Sequence, residues 1–277
     1  MSTVEKHVLG LSGGRDSAAL AVYMRQNHPE LDIDYFFTDT GKELDEVYEF
    51  LGLLEGFLGR SILRLNPDLD FDFWLKQYNN YLPSPQSRWC TRQLKLRPFE
   101  TWIRPMLEEG TRVFSYVAIR ADEEYREGYT SKHKNLVIKL PFKEVGVEKS
   151  GVMEILEGSG LGLPRYYEWR TRSGCTFCFF QQKIEWVRLM ERHPERFQEA
   201  KEYEKNALDH GSPFTWSQGE SLDELAQPES VAQIKEEYEQ RRERARAKLQ
   251  PNPLRPDEPL DIDDLYGQAK VCIACHK

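Results

Sequence analysis

Six consecutive residues have the types and spacing to hold a phosphate. Ser12, Gly13, Gly14, Arg15, Asp16 and Ser17 follow the run Val4 to Leu11 and precede the Ala-rich run Ala18 to Tyr23. A strand that feeds a glycine turn opening a helix points several backbone N–H groups at one spot, with the positive end of the helix dipole behind them. The adjacent glycines let the backbone approach an anion, the Ser12 and Ser17 hydroxyls add donors, and Arg15 adds a fixed charge. The string matches neither the G-x-x-x-x-G-K-[ST] loop nor the G-x-G-x-x-G dinucleotide turn.

Five cysteines form the second chemical set: Cys90, the pair Cys175 and Cys178, and the pair Cys272 and Cys275. A C-x-x-C spacing brings two thiolates to one metal from a single turn, so the two pairs alone could make a tetrahedral zinc site. Cys90 lies among Arg88, Arg92, Lys95 and Arg97. Nearby cations lower a thiol's pKa and favour the thiolate, the form that attacks or ligates. Arg120, Asp122, Glu123, Glu124 and Arg126 make another charged cluster.

These groups need a scaffold. Apolar, β-branched patterning predicts strands over Val4 to Leu11, Ile33 to Phe37, Ser61 to Leu65, Val113 to Ile119 and Leu136 to Phe142, and helices over Lys42 to Leu54, Phe71 to Tyr81 and Gln182 to His193. The β-α alternation predicts an α/β parallel sheet flanked by helices over residues 1–145, followed over 146–277 by a mostly helical, cysteine-bearing part. The polar helix Ser230 to Leu249 should pack little. In such sheets ligands bind beyond the C-terminal strand edges, where Ser12 to Ser17 and Asp39 with Thr40 share a crevice. Asp39 reads equally well as a Mg²⁺ or ribose ligand and as a helix cap.

With 277 residues and a net charge of −8, the chain has no uniformly basic face for coating nucleic acid, although a local basic groove is compatible with that balance. No apolar stretch reaches the length of a membrane helix and no signal core follows Met1 to Lys6, which predicts a cytoplasmic protein without membrane partners. Cysteines in a reducing compartment point to metal or redox chemistry before disulfides.

The motifs together resemble the phosphoadenosine phosphosulfate (PAPS) reductase family of the PP-loop ATP-pyrophosphatase superfamily, over roughly the first 180 residues. Ser12 to Ser17 resembles the SGGxDS pyrophosphate loop. Phe37 to Gly41 is similar to the D-T-G segment, Cys90 to Pro98 to the Cys-Cys-x-x-x-Lys-x-x-Pro segment, and Ile119 to Glu123 to the G-x-R-x-x-E segment. Cys90 with Thr91, and Tyr166 to Arg170 ahead of the C-x-x-C, look closer to Dnd-type or Ssp-type sulfur-transfer proteins of DNA phosphorothioation. The resemblance implies an adenine nucleotide alpha hydrolase-like fold with ATP at Ser12, Gly13, Gly14, Arg15, Asp16, Ser17, Asp39 and Thr40, and Mg²⁺ held with help from Asp16 or Asp39. It also implies a four-iron four-sulfur cluster on Cys90, Cys175 and Cys178. The fourth ligand comes from Cys272 or Cys275, or the fourth iron stays open.

The implied activity is adenylation of an acceptor with pyrophosphate release, followed by sulfur transfer. Asp16, Lys95 and Arg120 are its catalytic residues, and the expectation is that alanine at Lys95 or Arg120 harms turnover and spares stability. A cysteine desulfurase is the implied sulfur donor and DNA or another nucleic acid the acceptor. The alternatives are an adenylyl sulfate or PAPS reductase and a nucleotide-binding scaffold with a structural zinc.

Overall fold

The computed structural model describes residues 4–65, 69–124, 126, 128, 131, 133–217 and 219–248. Cys272 and Cys275 lie outside the described residues, as does the Pro251 to Pro259 connector.

Five parallel strands, β1 (Glu5–Leu11), β2 (Ile33–Phe37), β3 (Leu63–Arg64), β4 (Arg112–Tyr116) and β5 (Leu136–Lys139), form one sheet in the order β3-β2-β1-β4-β5. This is the parallel α/β sheet the alternation predicts. The connection from β3 to β4 passes through α5 on the other face of the sheet, so the strand order changes direction beside β1 and the loops leaving β1 and β4 flank a crevice at their carboxyl ends. Helices α1 (Arg15–Asn27), α2 (Asp45–Leu58) and α3 (Phe71–Gln77) follow the first three strands. Then come α4 (Trp89–Thr91), a π-helical turn (Arg92–Leu96) and α5 (Arg97–Glu108), and after the sheet α6 (Pro141–Val145) and α7 (Lys149–Gly158).

The period of two along a strand divides the core. Val8 and Phe36 face α5, where they pack with Phe99, Ile103 and Leu107, while Leu9, Leu11, Tyr35 and Phe37 face the α1, α2 and α7 side. The second face is the larger. Its buried cluster runs without a break from Leu9 and Leu20 through Trp169, Trp186 and Trp216 to Tyr238. It thus includes α8 (Lys183–Arg192), α9 (Pro194–Asp209), α10 (Leu222–Leu225) and α11 (Pro228–Lys248).

Several boundaries differ from the sequence reading for local reasons. β3 is two residues long, not five. Helix α3 stops at Gln77 because Asn79 and Asn80 adopt positive φ values of 55° and 59°, which end a right-handed helix. Pro141 does not merely end β5; it opens α6 at a first-turn position, where its missing N–H costs nothing. Helix α11 seats two residues, Ile234 and Tyr238, and Arg188 of α8 lies 4.5 Å over the Tyr238 ring. Among the described residues no helix is long and apolar enough to cross a membrane.

Candidate functional site: a glycine loop beside a thiol cavity

The loop Ser12 to Ser17 leaves the C-terminal end of β1, the middle strand of the sheet, and runs into α1. Gly13 has φ +72°, and a Cβ there would stand 2.5 Å from Val47 Cγ1, so conformation and space both demand glycine. Gly14 has an ordinary φ of −93°, but a Cβ would come within 2.9 Å of Ser173 Oγ and 3.2 Å of Ser12 Oγ. The two serines brace the turn. Ser12 N donates to Ser17 Oγ at 3.1 Å, Ser17 Oγ donates to the Gly14 carbonyl at 3.1 Å, and Gly14 N donates to Ser12 Oγ at 3.3 Å.

Arg120, in the loop after β4, reaches across the crevice to this turn. Its Nη1 donates to Asp16 Oδ1 at 3.0 Å, and its Nε and Nη2 grip Asp122 at 2.9 and 3.1 Å. Both partners of the Asp16 pair are buried, with side chains 7% and 8% exposed. Burial alone would favour deprotonation of Arg120, but Asp16, Asp122 and Glu123 outweigh it and hold its pKa above the usual arginine range. Glu123 in turn accepts from Arg126 Nη1 at 2.6 Å. This geometry argues against the expectation that alanine at Arg120 spares stability, because the guanidinium neutralises a buried carboxylate. Arg15 is also buried, its guanidinium 5.0 Å over the Tyr167 ring.

Asp39 and Thr40 sit at the C-terminal end of β2. Asp39 Oδ1 accepts from Gly41 N and from Tyr48 Oη, both at 2.8 Å. Thr40 Oγ1 donates to Glu43 Oε1 at 2.9 Å and lies 3.2 Å from Cys175 Sγ. Glu43, absent from the sequence reading, is buried and its Oε1 is 3.9 Å from that thiol. The preceding Lys42 points to α9 instead, with its ammonium 2.8 Å from Glu199 and 5.3 Å over the Tyr203 ring.

Beyond Thr40 a cavity opens that includes three of the predicted ligands. Cys90, Cys175 and Cys178 line it together with Thr40, Thr91 and Lys95, under an aromatic wall that includes Phe71, Phe177, Phe180 and Trp216. Its empty volume, mouth included, is about 480 Å³. Thr176 N donates to the Lys42 carbonyl at 2.8 Å and residues 43 and 175 form an isolated antiparallel bridge, which fixes the cysteine turn against the β2 loop. Fully buried Arg170 donates to the Cys175 carbonyl at 2.7 Å, while its Nε and Nη1 find no hydrogen-bond partner among the described residues.

Burial pushes the Cys175 thiol up to about 12, and the Glu43 charge adds to this while Lys95 opposes it. Burial likewise raises the Glu43 carboxyl above its usual range, with Lys95 and the Thr40 hydrogen bond acting against it. In protein free of any cluster, at pH 7.5, iodoacetamide should therefore label Cys175 far more slowly than an ordinary thiol. Peptide-resolved mass spectrometry reads this directly, and equal labelling of Cys175 and a model thiol would contradict the protonated state.

Among the described residues no three His, Cys, Asp or Glu side chains gather closely enough to hold a single metal ion. The zinc alternative turns on Cys272 and Cys275, which lie outside the described residues. Three cysteines in one largely apolar cavity beside a buried arginine with spare donors are a donor set that fits an iron-sulfur cluster.

Sequence reasoning found the loop, the cysteines, Lys95 and the run Tyr166 to Arg170, but missed Glu43, Ser173 and the contact of that run with the loop. Ser173 Oγ donates to Ser12 Oγ at 3.3 Å, and Tyr166, held neutral by burial, donates to the Gly13 carbonyl at 2.6 Å. The run Tyr166 to Arg170 was visible as a dense aromatic and basic stretch, but nothing local says that it straps the loop.

No known family profile matches the chain. One uncharacterised protein of Methanocaldococcus jannaschii is 31% identical over 133 residues, 48% of this chain and 26% of its own length. A second from the same organism is 22% identical over 191 residues, 67% of this chain and 44% of its length. Among solved structures, a PAPS reductase from Candida auris in a phosphate complex is similar at a TM-score of 0.48 and 10% identity, covering 61% of this chain and 81% of that one. An NMN synthetase from Francisella tularensis has a TM-score of 0.38 at 15% identity, with 90% of both chains covered. A U34-tRNA thiolase from Methanococcus maripaludis with its [4Fe-4S] cluster has a TM-score of 0.41 at 14% identity, covering 75% of this chain and 70% of that one. The chain thus spans between about a quarter and less than half of the length of these curated relatives.

Proposed function

We propose that the chain binds ATP at Ser12 to Ser17, uses it to adenylate an acceptor with pyrophosphate release, and passes sulfur to that acceptor at the thiol cavity. The observation that carries this reading is the 3.2 Å contact between Thr40 Oγ1 and Cys175 Sγ, which joins the edge of the nucleotide crevice to the cavity. An acceptor oxygen attacks the α-phosphorus and the bond to the β-phosphate oxygen breaks; a sulfur nucleophile then bonds to the activated atom as AMP leaves.

Each residue has a place in this scheme. The loop amides and serines bind the phosphates, and Lys95, on the cavity wall, meets charge developing towards the acceptor. Arg120 acts through Asp16, positioning the first turn of α1. Asp39, whose Oδ1 takes both of its hydrogen bonds, is better placed than Asp16 to hold Mg²⁺. Cys90, Cys175 and Cys178 would hold an iron-sulfur cluster, which supplies electron-transfer or sulfur-carrying chemistry when bound. A cysteine desulfurase is a fitting sulfur donor. Arg88 and Arg172 stack at 5.0 and 5.6 Å on Phe180 of the cavity wall, a pairing of cations and aromatic surface that favours a nucleic-acid acceptor.

The test is anaerobic purification, iron and sulfide analysis, and an assay for AMP and pyrophosphate from ATP with DNA or tRNA present. Iron with acid-labile sulfide, and pyrophosphate release that depends on one of the nucleic acids, are expected. Failure to bind ATP overturns the reading, and sulfite formed from PAPS without ATP cleavage replaces it with a reductase.

A further inference from the structure

Helix α1 begins without a side-chain cap. The amide of its first residue, Arg15, instead donates to the phenolic oxygen of Tyr167 at 3.2 Å, across 152 positions of sequence. The Arg15 guanidinium lies over the same ring, 5.0 Å from its centroid. A Cβ at Gly14 would come within 3.5 Å of the Tyr167 hydroxyl. That hydroxyl thus sits where the loop and the α1 terminus meet, a neutral acceptor at a place whose electrostatics favour an anion.

We infer that Tyr167 is a displaceable stopper of the nucleotide loop, its hydroxyl and ring engaging the Arg15 amide and guanidinium until a phosphate takes both. The identity of the incoming ligand rests on the ATP-binding reading above; the stopper itself does not. A charged phosphate oxygen makes a shorter and stronger bond to an amide than a neutral phenol does, so the exchange favours the ligand. Tyr167 is half-buried.

Its neighbours carry the movement onward. Arg170 N donates to the Tyr166 carbonyl at 2.9 Å, the Arg170 side chain holds the Cys175 carbonyl at 2.7 Å, and Ser173 holds Ser12 at 3.3 Å. Withdrawal of Tyr167 therefore loads the same backbone that presents Cys175 and Cys178. Nucleotide arrival is transmitted to the thiol cavity through this strap.

Tyr167→Phe keeps the ring under Arg15 and removes the hydroxyl, with its bonds to the Arg15 amide and to Tyr166. Two measurements on the full chain follow: hydrogen exchange at the Arg15 amide without ligand, and calorimetric affinity for ATP and for pyrophosphate. The variant is expected to exchange the Arg15 amide about fivefold faster and to bind ATP about fivefold more tightly, since the ligand no longer competes with the phenol. Tyr166→Phe should act in the opposite direction on affinity, because it frees the Gly13 carbonyl that Tyr166 now restrains. Unchanged exchange at Arg15 in Tyr167→Phe overturns the stopper, and so does weaker ATP binding, which would make the hydroxyl a ligand contact. If neither parent nor variants bind ATP or pyrophosphate, the ATP reading falls and the stopper with it, whereas a parent that binds ATP and a Tyr167→Phe variant that binds it no more tightly overturn the stopper alone.

Discussion

Arg120→Ala is expected to destabilise the fold by about 3–5 kcal/mol, because it removes the guanidinium that pairs with the buried Asp16 carboxylate. Urea unfolding at pH 7 measures this. The Arg120→Ala, Asp16→Ala double variant should cost clearly less than the sum of the two singles, since the second change removes the buried carboxylate that paired with Arg120. Additive losses, or an Arg120→Ala variant within about 1 kcal/mol of the parent, would mean that the pair lies in a far more hydrated setting than its 7% and 8% exposures indicate. Loss of turnover in Arg120→Ala must therefore be read against its folded fraction, whereas Lys95→Ala, on the cavity wall, tests turnover more cleanly.

The two loop glycines should separate binding from folding. Gly14→Val has a compatible backbone conformation, and the atom it displaces, Ser173 Oγ, belongs to a short side chain, so the fold survives. ATP binding should nevertheless disappear, because the valine fills the concave side of the turn and breaks the Ser173 to Ser12 contact. Gly13→Ala meets two penalties at once: a left-handed φ of +72° and a 2.5 Å approach to buried Val47. It should cost roughly 2–5 kcal/mol in stability. Calorimetry with ATP and thermal unfolding distinguish the two, and unchanged ATP affinity in a folded Gly14→Val would remove the loop from the binding site.

The strands were legible where burial imposes an uninterrupted apolar run, as in Val8 to Leu11 and Tyr35 to Phe37. They were overextended where a polar edge carries little pattern, as at β3. The glycine loop was legible because its chemistry is contiguous. The lid over it was not, since the Tyr167 to Arg15 and Ser173 to Ser12 bonds join residues 152 and 161 positions apart, and no local periodicity encodes such a meeting. Glu43 escaped for a related reason. It reads as an ordinary acid in a polar loop, and only the antiparallel bridge with residue 175 buries it beside a thiol. Charge reading took Arg120 for an available cation although Asp122 and Glu123 stand beside it, because the buried partner that fixes it, Asp16, is 104 positions away.

The π-helical turn at Arg92–Leu96 interrupts an otherwise continuous helical path between Trp89 and Glu108, with the amide of Arg97 closing back onto the carbonyl of Arg92 five residues earlier. Such a turn holds more residues than an α-helical one, and so it behaves as a tolerated single-residue insertion. Cys90 and Lys95, five apart, would diverge by about 140° on a regular helix, yet here both reach one cavity. The gene therefore has a reading-frame-neutral weak point: loss of the Gln93 codon would straighten the helix and rotate Cys90 by about 100° relative to α5, while leaving every residue that lines the cavity in the sequence. Homologous sequences one residue shorter in this segment would have to bring a thiol from somewhere else.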